Sequence, residues 1–203
     1  LAPGNPDTLA KLSDPDKRPR VRAVPLPPVP PQLPTVQLDR KMFASCLRSS
    51  ARGSAGGRSG RKYEHLRILL ESEVSFALLA DVSELIAQGK LPASIARALS
   101  LGTMVALSKP DGGVRGICIG DVTRRLISRT LAQQFGKEIT EECAPYQYAC
   151  GNRSGIDAAT LAIRATLESN RETVLVSLDG IGAYDHIHRA AMLGRLEKMN
   201  GAS

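Results

Sequence analysis

The stretch VLVSLDGIGAYDHIHR, residues 174–189, decides how the rest of the chain is read. Residues 174–178 form an apolar run of strand length that delivers Asp179 into a glycine-punctuated turn, and Asp185 follows six residues later. Buried strands read as continuous aliphatic runs, and an ionised Asp at the end of one is costly unless a cation or hydrogen bonds satisfy it. The pattern predicts a strand over 174–178 whose terminal carboxylate is either a capped turn residue or a metal ligand. Asp185 is expected to cap a helix over 186–200, because Tyr184 and the helix start separate it from Asp179.

Upstream, TMVALSKPDGGVRGICI (residues 103–119) sets two β-rich runs, 103–107 and 114–119, on either side of a Lys-Pro-Asp-Gly-Gly turn. That is a hairpin pattern, with Asp111 as turn former. Lys109 and Arg115 flank the turn, close enough to converge on one ligand. A mobile point charge beside a guanidinium fork suits a triphosphate; the competing reading is two solvated surface charges.

Apolar residues at helical spacing predict a long helix over 62–88, stopped by Gly89 and Pro92, and a second over 121–139 with Asp121 as N-cap. Arg124, Arg125 and Arg129 share one side of the second helix. They are either phosphate-backbone contacts or a solvated face. A short helix is expected over 156–168, after a loop rich in hydrogen-bonding groups, PYQYACGNRSG (145–155). The loop SARGSAGGRSG (50–60) carries Arg52 and Arg58, with Arg61 next to it. It reads as plain linker or as open backbone from which arginines approach phosphates.

The first 37 residues hold most of the prolines, densest in VPLPPVPPQLP (24–34), and few large apolar groups to offset ordering entropy. They predict a disordered or polyproline-like basic linker. The net charge is +7, and residues 1–60 carry 10 Lys/Arg against 4 Asp/Glu while residues 61–203 carry 17 against 16. The basic excess is therefore N-terminal, where it attracts polyanions without choosing among them. Four cysteines without a CxxC pair argue against a disulfide scaffold and for a reduced, intracellular compartment. No apolar run has the length of a membrane span and no signal-peptide core is present, so no membrane partner is expected. A zinc site from Cys143, Cys150, His186 and His188 matches no standard ligand spacing. With Leu1 at one end and a helical pattern just before the other, the chain reads as a fragment of a longer one.

Taken in order, SAGGRSGRKYEHL (54–66), VALSKPDGGVRGICIGDVTRRL (105–126), PYQYACGNRSGIDAA (145–159) and LVSLDGIGAYDHIHR (175–189) resemble successive N-terminal blocks of the reverse transcriptase domain of non-LTR, LINE-like retrotransposons. The likeness covers residues 50–200, about three quarters of the chain. It implies an α+β fold: the fingers and partial palm of a right-hand polymerase over 50–203, preceded by the disordered Pro-rich segment over 1–49. It implies that Asp179 is the first catalytic, metal-binding aspartate of a two-Mg2+ site with the Gly180 carbonyl beside it. Tyr184 matches the ring under the incoming nucleotide's sugar. Lys109 and Arg115 match the hairpin that folds onto the triphosphate. Gln147 and Arg153 fall in a block near the template; the other candidate nucleic-acid contacts, Arg58, Arg61, Arg124 and Arg125, come from the open loop and the helix face read above. The implied partners are an RNA template, a DNA primer and deoxynucleoside triphosphates, with the nucleus as the compartment.

Two departures matter. The family's paired-aspartate block and thumb have no counterpart here, and no Asp-Asp pair occurs in the sequence. Without the second block a two-ion cage is incomplete, so the isolated chain is expected not to polymerise. Gly116 also stands where relatives commonly have Pro. The rival from another class is a non-catalytic basic remnant that grips nucleic acid through its arm and Arg-rich loop. A third reading is a proline-rich interaction segment on a helical domain.

Overall fold

A computed structural model of the chain describes residues 1–16, 35–149, 151, 153–179 and 187–200. It is a mixed helix-and-strand structure, consistent with the α+β class, and its sheet among the described residues is a single two-stranded one. The chain divides into two compact units: Thr35–Thr103 with Ile119–Val176, and Leu1–Pro34 with Met104–Cys118 and Ser177–Ser203.

The first of these units carries the core. Its helices are α2 (Arg40–Arg48), α3 (Tyr63–Arg67), a 3-10 turn (Ile68–Glu71), α4 (Glu73–Ala87), α5 (Ala93–Ser100), α6 (Val122–Gln134), α7 (Gly136–Glu142) and α8 (Gly155–Ser169). Phe43 and Leu47 of α2 and Val122 and Leu126 of α6 are fully buried. Tyr63 and Leu66 of α3 close that cluster, and Phe76 of α4 meets Phe43 with ring centroids 6.4 Å apart. Burial of four such side chains contributes on the order of 2 kcal/mol each, which is why the unit is organised around the α2–α6 seam.

The second unit holds α1 (Pro6–Leu12), most of the hairpin β1 (Gly102–Ser108) and β2 (Val114–Gly120), and α9 (Arg189–Asn200). The hairpin turn closes with Lys109 N donating to Gly113 O (2.9 Å) and Gly112 N to Lys109 O (3.1 Å). Asp111 is the turn former, its Oδ1 accepting from Gly113 N at 2.8 Å. Gly112 has φ +75°, a conformation side chains resist. The Ala2 amide donates to Ala106 O of β1 (2.9 Å).

Several sequence expectations are corrected. Two segments inside the stretch expected to be a disordered linker, 1–49, are helical. α1 forms because Asn5 caps it, accepting from Thr8 N at 2.9 Å, and Pro6 pre-sets its first turn. α2 forms because Asp39 caps it through Met42 N (2.9 Å) and its apolar residues recur on one face against α6. The proline-dense residues 24–34 lie outside the described residues. The helix expected over 62–88 is interrupted: Ser72 is extended at φ −128°, ψ 127°, and its Oγ accepts from Ser75 N to start α4 afresh. The helix expected over 121–139 runs as α6 and then α7.

Residues 174–178 are not a strand. Val174, Leu175, Val176 and Leu178 are exposed, with Leu178 at 91%, and no ladder partner exists for them among the described residues. An apolar run becomes a strand only where a neighbouring strand satisfies its amides and carbonyls, and pattern alone does not supply the neighbour.

Candidate nucleic-acid interface

The glycine- and arginine-rich loop is fastened to the start of α6. Asp121 caps that helix, its Oδ1 accepting from Thr123 N at 2.9 Å, and its Oδ2 accepts from Ser59 Oγ at 2.5 Å. Burial pushes the Asp121 carboxyl up, but the bonds from Ser59 and Thr123 and the charge of Arg61 outweigh it and hold the group below its ordinary value. Gly57 lies so close that a Cβ there would stand 2.7 Å from the Asp121 Cα and 2.8 Å from Gly120 O. A second clasp holds the loop's other end. Glu64 accepts from the Gly53 amide, which lowers its carboxyl, and the Arg125 guanidinium donates to Ala55 O. Arg125 also lies over the Tyr63 ring, 5.4 Å from its centroid.

Fastened this way, the loop presents Arg52, Arg58 and Arg61 to solvent. None of the three forms a salt bridge with a described carboxylate. They are cations on a fixed backbone rather than on a free linker, so less ordering entropy is lost when they meet a phosphate.

The arginines of α6 behave differently. Arg124 donates to Leu99 O at 2.9 Å, Arg125 to Ala55 O, and Arg129 to Cys46 O (3.4 Å), Ser50 Oγ (3.1 Å) and Ser49 Oγ (3.1 Å). Arg67 joins Arg129 at the same helix end, through Leu47 O at 3.0 Å and Ser50 O. Two guanidinium groups thus satisfy the open carbonyls at the C-terminus of α2, where its dipole favours positive charge. Gln147 accepts from the Ala149 amide within its own loop, and Arg153 is exposed.

Lys109 and Arg115 stand exposed on the hairpin. A third cation reaches the turn: Lys11 of α1 donates to Gly112 O at 3.3 Å while pairing with Asp7 at 2.9 Å. Lys11 was not among the sequence candidates, and its only local signal is the Asp7 four residues before it.

Asp179 is exposed, so no desolvation cost forces a cation onto it. Gly180, Tyr184, Asp185 and His186 lie outside the described residues. The described helix α9 begins at Arg189 rather than 186, and His188 Nδ1 accepts from Ala191 N at 3.1 Å at its start. Among the described residues no three His, Cys, Asp or Glu side chains gather as a metal site would require. The residues that follow Asp179 in the turn, 180–186, lie outside the described residues, and Asp179 is the one carboxylate of the expected site that is described.

The sequence candidates fall into two groups. Lys109, Arg115 and Asp179 lie in the hairpin unit, and Arg58, Arg61, Arg124, Arg125, Gln147 and Arg153 in the core unit. Among the described residues no helix is long and apolar enough to cross a membrane. The chain matches no protein-family model and no curated protein sequence.

Proposed function

We propose that the chain is the fingers and first palm portion of a retroelement reverse transcriptase, a part that binds template and incoming nucleotide for RNA-directed DNA synthesis. The observation that carries this reading is the hairpin whose turn is flanked by Lys109 and Arg115 and most of which shares a compact unit with Asp179. Those are the residue types that nucleotidyl transfer requires, since neutralising a triphosphate and orienting it are most of the protein's contribution to the step. In the intact enzyme a primer 3′-hydroxyl attacks the α-phosphate. Asp179 supplies one carboxylate of that site, and the residues that complete it are not among those described.

The reading is tested on the chain itself by calorimetric titration with a deoxynucleoside triphosphate. Lys109→Ala and Arg115→Ala are each expected to weaken binding about tenfold, close to the worth of one charge-assisted contact. Unchanged affinity in both variants removes the hairpin from the site. In a version extended with a paired-aspartate hairpin, Asp179→Ala is expected to abolish extension of an RNA-templated primer, and retained extension overturns its assignment.

A second reading is favoured by one observation. Arg52, Arg58 and Arg61 are presented on a fixed loop, an arrangement that serves binding without chemistry. On that reading the chain is a basic nucleic-acid-binding module, and it binds RNA while showing no affinity for a free triphosphate.

A further inference from the structure

Helix α4 is apolar on two faces. Leu79, Ala80 and Ser83 turn toward the core with Phe76, as an amphipathic helix requires. On the other side Val74, Leu78, Val82 and Leu85 recur at i, i+4, i+8 and i+11, a stripe within about 80° of arc. They are 71%, 61%, 52% and 44% exposed. A single exposed Leu means little, but four aligned aliphatic side chains on one helix are a patch of the kind that marks an interaction surface.

The charge around the stripe says what covers it. Residues 68–89 contain Glu71, Glu73, Asp81 and Glu84 and no Lys or Arg, in a chain whose net charge is +7. Asp81 is paired with Arg40, and Glu84 accepts from Leu38 N at 3.1 Å. Glu71 and Glu73 remain exposed at the start of the stripe. Two free carboxylates at the N-terminal end of the stripe favour a partner that brings positive charge there, and a second copy of α4 laid parallel would set carboxylates against carboxylates.

We propose that this face docks an amphipathic helix from another protein, with aliphatic residues at i, i+4 and i+7 and Lys or Arg along its flanks. Leu and Val interdigitate along the seam as in other helix-on-helix recognition, while the basic flanks select the partner and its direction. The proposal does not rest on the polymerase reading, because it uses no residue assigned to nucleotide or template.

The test uses the full 203-residue chain and two fluorescent synthetic helices of about 20 residues, alike in their Leu positions and differing in Lys or Glu flanks. Anisotropy titration is expected to show the Lys helix binding at least about tenfold tighter. The variant Leu78→Gln with Val82→Gln is expected to cost the Lys helix about tenfold in affinity with an unchanged circular dichroism spectrum. Ile95→Gln, on the exposed surface of α5, is expected to change nothing. Equal affinity for the two helices overturns the proposal, as does a Lys helix that ignores the α4 variant and so binds by charge alone. A concentration-dependent dimer that the α4 variant dissociates also overturns it, since a second copy then covers the stripe.

Discussion

Asp121 joins three links: its side chain caps α6 and receives Ser59 from the arginine-bearing loop, and its backbone sits against Gly57. Gly57→Ala is expected to cost about 1–3 kcal/mol, because backbone atoms at 2.7–2.8 Å would have to move. Urea unfolding measures it, and a wild-type midpoint would mean the loop is not seated there. Asp121→Ala loses the cap for about 1–2 kcal/mol. Its pH dependence has a defined sign. A carboxyl held low in the folded chain binds fewer protons folded than unfolded, so its contribution is full above the unfolded value of about 4 and fades as pH falls through the lower, folded one. Asp121→Asn is therefore expected to flatten the acid side of the stability curve, read from unfolding midpoints between about pH 6 and pH 3. The Asp121 cap was legible in the sequence, since Asp before an apolar-periodic run is a helix start. Its bond to Ser59, 62 residues away, had no local signal.

The hairpin was the most legible element, because Lys-Pro-Asp-Gly-Gly carries its turn geometry in the residues themselves. Gly112→Ala forces a side chain to φ +75° and is expected to destabilise the hairpin by about 1 kcal/mol. Hydrogen exchange of the strand amides checks this: protection should fall across β1 and β2 and stay unchanged in α2 and α6. Helix α2 shows how composition misleads. The prolines nearby favoured disorder, yet Asp39 and the spacing of Met42, Phe43, Cys46 and Leu47 already spelled a capped, one-faced helix. Residues 174–178 err the other way. Their aliphatic run has strand character, but a strand is a property of a pair, and the sequence window contains only one member. The α6 arginines were legible as a face and not as to its use. Whether a guanidinium meets phosphate or a backbone carbonyl depends on which chain end the fold brings beside it.

At the scale of the molecule, the charge distribution separates the polymerase-part reading from the simple basic arm. Residues 1–34 carry 5 Lys/Arg and 3 Asp/Glu, whereas residues 35–60 carry 5 and 1. Most of the N-terminal excess thus lies in α2 and the fastened loop, inside the unit that holds the core. Removing residues 1–60 would strip Phe43 and Leu47 from that core and so cannot serve as a binding test. Removing residues 1–34 spares the core. For single-stranded RNA the logarithm of affinity falls against that of salt by about 0.7 per phosphate neutralised. The truncated chain is expected to keep more than about half of the full chain's slope, while Arg58→Ala with Arg61→Ala in the full chain lowers it by about 1.4. Filter binding over a salt series measures both. A truncated chain that loses nearly all its affinity, beside a double variant that binds as wild type, would place recognition in the arm. The folded loop would then be scaffold rather than interface.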